Sequence, residues 1–106
     1  MEFTIRNLQK SVNDIMRQIG YIPAHFQNKG EFSIIRKISR NDYPRFHLYI
    51  KEADRPIDRS TTGMSFNFSL HLDQKKPSYE GSKGHSGEYD GDVVENEAER
   101  IKNILE

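Results

Sequence analysis

The chain is 106 residues long, 34% hydrophobic and 30% charged, with 16 Lys/Arg against 16 Asp/Glu and no cysteine. That length suits one domain spanning 1–106, and without cysteine there is no disulfide framework, thiolate nucleophile or zinc ribbon. No apolar run approaches the ~18 residues of a membrane span, and Met1-Glu2-Phe3-Thr4-Ile5-Arg6 lacks the basic-then-apolar layout of a secretory signal, so the expectation is a cytoplasmic protein with no membrane partner.

Ile5, Leu8, Val12, Ile15, Met16 and Ile19 recur at three- and four-residue steps, which predicts an amphipathic helix over about 4–19. Thr4 or Asn7 could cap it, and Gly20 followed by Pro23 would stop it. Residues 21–30 read as a loop. Period-two alternation then predicts three strands, at about 31–39, 45–52 and 64–73. Phe32, Ile34 and Ile38 share a face of the first, Phe46, Leu48 and Ile50 of the second, and Met64, Phe66, Phe68, Leu70 and Leu72 of the third. Arg40-Asn41-Asp42-Tyr43-Pro44 has hairpin-turn chemistry, and 74–91 is a long loop holding four of the seven glycines. A second helix is expected over about 92–105, with Asp92 and Glu95 as a capping box and Val94, Ala98, Ile101 and Leu105 as its apolar stripe. The predicted fold class is therefore α+β: a two-layer sandwich of a three-stranded antiparallel sheet with two helices on one face, in the order α-β-β-β-α.

With both helices on one side, the other sheet face should be polar and open, displaying Ser33, Ile35, Lys37, His47, Tyr49, Lys51, Asn67, Ser69, His71 and Asp73. His71 and Asp73 lie two residues apart on one strand, so their side chains point the same way about 6.6 Å apart along the backbone. Such a pair can share a divalent metal or set a carboxylate beside an imidazole. In a simple hairpin register His47 falls opposite Ser69 and diagonal to His71. The loop adds His85, Glu88 and Tyr89, should it fold back over the sheet. The candidate ligand-binding set is thus His47, Tyr49, Asn67, His71, Asp73, His85, Glu88 and Tyr89, with His47, His71, Asp73 and His85 as candidate metal ligands. No cofactor is predicted beyond a divalent metal that this pattern could take, and no catalytic residue is assigned. P-loop, G-x-S-x-G and H-E-x-x-H patterns are absent, and no serine–histidine–acid arrangement stands out.

The element order resembles that of double-stranded-RNA-binding domains, which implies an RNA- or DNA-binding alternative. Those domains carry a lysine cluster at the start of their last helix, where this chain has Glu88-Tyr89-Asp90-Gly91-Asp92. Residues 1–51 do hold nine Lys/Arg against four Asp/Glu, so Lys29, Arg36, Lys37, Arg40, Arg45 and Lys51 could form a basic patch. The leading expectation is a small intracellular non-catalytic binding module that uses the polar sheet face and the 74–91 loop on a protein or small ligand. A metal-dependent hydrolase or nuclease built on His47, His71, Asp73, His85 and Glu88 is the other alternative.

Overall fold

A computed structural model of the chain describes residues 1–24, 31–53, 64–74, 87–88 and 91–106. The elements are β1 (Glu2–Leu8), α1 (Val12–Ile19), β2 (Ile22–Pro23), β3 (Phe32–Lys37), β4 (Arg45–Glu52), β5 (Met64–Asp73), β6 (Gly87–Glu88) and α2 (Asp92–Leu105). The class is α+β, but the three-stranded sheet expected from sequence is replaced by five antiparallel strands in the order β1-β5-β4-β3-β2. The two-residue β6 pairs with Leu72 and Asp73 of β5. Since β4 occupies the other side of those residues, β6 extends the edge that β1 occupies earlier along β5.

Two of the added strands come from stretches read as helix and loop. Residues 4–8, expected to open the first helix, belong to β1 instead. Phe3 and Ile5 alternate as a strand requires, and both lie on the core side, Phe3 stacked on Phe68 at 5.1 Å. The register with β5 then slips between Ile5 and Leu8, where Asn7 has φ +60°. That irregularity turns Leu8 inward, three residues after Ile5, and so reproduces the spacing of a helix within a strand. The true helix start is Ser11, whose Oγ accepts from the backbone N–H of Asp14 at 3.2 Å. Gly20 ends the helix with φ +83°, a left-handed conformation that glycine adopts without strain, and Tyr21 N–H closes on Met16 O at 3.0 Å. β2 lies in the expected 21–30 loop, and Pro23 fits there because β2 is an edge strand, where a missing N–H costs nothing to the ladder.

α1 thus carries the chain from the β1 edge of the sheet to the β2 edge, and β2 through β5 return as a meander that ends beside β1. Ile15 and Ile19 of α1 and Val94, Ala98, Ile101 and Leu105 of α2 share one core with Ile5, Ile34, Phe46, Leu48, Ile50, Phe66, Phe68, Leu70 and Leu72 of the sheet. Both helices therefore lie on one face, and each of these apolar side chains contributes about 1.5–3 kcal/mol on burial. Phe32 and Ile38, expected in that core, are each 48% exposed; Phe32 opens β3 near the sheet's margin and Ile38 lies past its last residue. α2 begins at Asp92 behind Gly91 with no side-chain cap, so Asp92 and Glu95 form no capping box and lie in the first turn, where their charge complements the helix dipole.

A polar network centred on Glu97 reaches into the core, and little in the sequence hints at it. The Glu97 carboxylate, on the inner side of α2, receives the Tyr21 hydroxyl at 2.7 Å and the Arg100 guanidinium at 2.6 and 3.0 Å. Arg100 also donates to the carbonyl of Ile19 at 2.6 Å, and Arg36 of β3 lies 3.5 Å from Glu97. The network joins the C-terminal end of α1, the middle of α2 and β3. Burial, reinforced by the Glu97 charge, pushes the Tyr21 phenol far above its ordinary pKa, so it stays protonated and donates.

Candidate functional site

The sheet face away from the helices is organised in rows that run across the strands. Thr4, Asn67 and Lys51 form one; Glu2, Ser69, Tyr49 and Ser33 the next; His71, His47, Ile35 and Ile22 the third; and Asp73, Arg45 and Lys37 the fourth. His47 therefore lies directly opposite His71, and Tyr49 opposite Ser69, a shift of two residues from the register expected from sequence. The long, uninterrupted pairing of β4 with β5 fixes this register over eight consecutive residue pairs.

The first two rows border a groove of about 470 Å³ lined by Glu2, Phe3, Thr4, Glu31, Tyr49, Lys51, Asn67, Phe68 and Ser69. Its polar groups are two carboxylates, one ammonium, an amide and three hydroxyls. Thr4 and Asn67 are tied across β1 and β5 by a 2.8 Å hydrogen bond, which gives that wall a defined shape.

The last two rows, with Ser33 of the second, hold a compact polar cluster. His47 Nε2 lies 2.6 Å from Ser33 Oγ, and His47 Nδ1 lies 3.2 Å from Asp73 Oδ2. His71 Nε2 lies 3.0 Å from Asp73 Oδ1, so the carboxylate bridges both imidazoles. Tyr49 joins this cluster to the groove: its ring stacks on His47 at 4.4 Å and on His71 at 5.7 Å, and it is also one of the residues that line the groove. Burial raises the pKa of Asp73, but hydrogen bonds from His47 and His71, with their charges, outweigh it and hold the carboxyl well below the usual carboxylate range. Asp73 is ionised at physiological pH.

The face is not open throughout, as the alternation had implied. Ser33 is 4% exposed, His71 6% and Ile35 6%, so the cluster is a partly buried constellation, with solvent reaching the groove end of the face. The series Ser33–His47–Asp73 also has the connectivity of a hydrolytic triad, hydroxyl to imidazole to carboxylate. It was hidden in the sequence because its members are 14 and 26 residues apart and meet only through the β3–β4–β5 pairings. At 4% exposure the Ser33 hydroxyl is out of reach of a substrate, and its evident effect is to fix the orientation of the His47 ring.

Of the residues singled out from sequence, His47, His71 and Asp73 are brought into contact, Tyr49 packs on the two imidazoles, and Asn67 lines the groove. His85 and Tyr89 lie outside the described residues, as does most of the 74–91 loop; Glu88 is described only as backbone, paired with Leu72. Ser33, Arg45 and Lys51 belong to the face but were not in that set. Arg45 Nε lies 3.7 Å from Asp73 Oδ2, with its guanidinium over the Tyr43 ring at 4.6 Å. Of the basic residues expected to form a patch, Lys37 and Arg45 are cross-strand partners beside Asp42 and Asp73, Arg36 faces the helices and Glu97, Lys51 lines the groove, Arg40 is exposed past β3, and Lys29 is outside the described residues.

Among the described residues, no helix is long and apolar enough to cross a membrane. No family model, curated protein or solved structure matches the chain.

Proposed function

We propose that the protein is a non-catalytic binding module that holds a small, polar, amine-bearing molecule on the outer face of its sheet. The observation that carries this reading is the groove: about 470 Å³, with Glu2, Glu31, Lys51, Thr4, Asn67, Ser69 and Tyr49 among the residues that line it. Small-molecule sites occupy roughly 300–1,000 Å³ and use a few fixed polar groups to orient what they hold. Two carboxylates against one ammonium favour a ligand with at least one positive group. Tyr49, held by its stack on His47, offers that ligand a rigid aromatic surface without further ordering cost.

A thermal-shift panel tests the reading, using L-arginine, putrescine and L-glutamate as probes. A ligand at ten times its Kd adds about 1.4 kcal/mol of stability, which amounts to several degrees in a chain of this size. L-arginine and putrescine should raise the melting temperature and L-glutamate should not. Asn67→Trp, which fills the groove from an exposed strand position, should remove the shift when each probe is measured against that variant's own unliganded melting temperature. The reading fails if neither amine shifts the transition, or if the Asn67→Trp protein responds like the parent.

A further inference from the structure

We propose that His47, His71 and Asp73 form a three-donor site for a divalent transition metal, with zinc the ion that suits it best. One donor atom from each residue lies within 4.8 Å of the other two. His47 Nδ1 lies 3.2 Å from Asp73 Oδ2 and His71 Nε2 lies 3.0 Å from Asp73 Oδ1, so each imidazole already stands about one tetrahedral edge from an oxygen of the shared carboxylate, zinc ligands about 2.0–2.1 Å from the ion sitting about 3.3–3.4 Å apart. Two imidazoles and one carboxylate suit zinc and its first-row neighbours; magnesium and calcium prefer all-oxygen sets. Three protein donors leave a fourth position for water or a ligand atom.

The surroundings match what such a site requires. A ligating imidazole is normally held through its other nitrogen, and His47 has that arrangement: Nδ1 faces Asp73 while Nε2 is anchored on Ser33 Oγ at 2.6 Å. On metal binding Nδ1 becomes the donor to the ion, Nε2 carries the proton, and Ser33 Oγ accepts it. His47 and His71 are cross-strand partners with ring centroids 4.9 Å apart, so the sheet ladder fixes their separation. Asp73 comes from the same strand as His71, one side-chain step along the same face.

A second observation points the same way. Arg45 Nε is buried and, among the described residues, has no hydrogen-bond partner; Asp73 Oδ2 lies 3.7 Å away, beyond hydrogen-bond reach, and is engaged by His47. An orphaned buried donor is costly. If the ion takes His47 Nδ1 and Asp73 Oδ1, then Oδ2 is released and Arg45 can close on it. The metal-bound arrangement thus satisfies a donor that the metal-free arrangement leaves unpaired. Arg45 also places a positive charge near the ion, which lowers affinity and makes a neutralising carboxylate at position 73 indispensable.

The site is separate from the groove reading, as it needs none of Thr4, Lys51 and Asn67. The test uses zinc chloride added to the metal-free protein, followed by calorimetry and by 15N spectra of the histidine rings. One equivalent should bind, raise the melting temperature by about 4–8 °C, and shift His47 Nδ1 and His71 Nε2 while leaving His25 unmoved. His71→Ala and Asp73→Asn should each abolish the thermal shift relative to their own metal-free baselines, and Ser33→Ala should weaken binding about 10- to 100-fold. Asn67→Trp should leave zinc binding intact, which separates failure of this site from failure of the groove. The ring spectra are recorded on the unaltered chain, so poor folding of a variant does not obscure the result. The proposal is overturned if zinc does not bind, if binding survives His71→Ala, or if the shifted ring belongs to His25.

Discussion

Replacing Phe68 by alanine is expected to cost about 3–5 kcal/mol, enough to unfold much of the population of a small domain at room temperature. Phe68 is 1% exposed, sits in the middle of β5 between β1 and β4, and stacks on Phe3. Removing its ring opens a cavity where the sheet is flanked on both sides, and the paired backbones cannot easily collapse into it. The neighbouring Asn67 points to the opposite, solvent-exposed side, and Asn67→Ala loses only an exposed hydrogen bond with Thr4, so it should stay within about 1 kcal/mol of the parent. Urea denaturation of the two variants checks the phase of β5: equal losses, or a larger loss at position 67, would mean the strand is turned the other way.

The second large effect concerns Glu97. In Glu97→Ala the Tyr21 hydroxyl, buried and unable to ionise, loses its acceptor, and Arg100 and Arg36 lose their counter-charge. A buried polar group left unpaired costs about 1–3 kcal/mol, and the full penalty of a broken buried pair, about 3–5 kcal/mol, is moderated because the Arg100 side chain is 33% exposed and can turn to water. The expected loss is about 2–4 kcal/mol, against less than about 0.5 kcal/mol for the exposed Glu99→Ala on the same helix. Glu97→Gln, whose amide oxygen can still accept from Tyr21, should fall between them. Tyr21→Phe combined with Glu97→Ala should be less destabilising than the two single losses added together, since they share one hydrogen bond. Additive losses in a thermal-denaturation cycle would remove Glu97 as the link between α1 and α2.

How far the sequence foretells this molecule depends on how local each signal is. β4, β5 and α2 are legible because their apolar residues keep one period throughout: Phe46, Leu48 and Ile50; Phe66 to Leu72 by twos; Val94, Ala98, Ile101 and Leu105 by threes and fours. β1 is not, because the irregularity at Asn7 gives Ile5 and Leu8 a helical interval and so merges a strand and a helix into one apparent stripe. β2 is two residues long, too short for periodicity, and is recognisable only once β3 is in place beside it. In the site, His71 and Asp73 could be paired from their two-residue spacing alone. Placing His47 against them required the β4–β5 register, which no local signal sets. Ser33 was unremarkable in sequence, since its tie to His47 runs across β3 and β4. Glu97 had no signal beyond being an acidic residue on the inner face of a helix, and its partners Tyr21 and Arg36 come from 76 and 61 residues away.

We propose that the working surface of this protein is the sheet face turned away from its helices. The most direct measurement is an amide 1H–15N titration with L-arginine, read residue by residue. Perturbations are expected at Thr4, Tyr49, Lys51, Asn67 and Ser69 that saturate together, with α1 and α2 unmoved. Saturable shifts confined to the helices, or none on the outer face at millimolar probe, would contradict it.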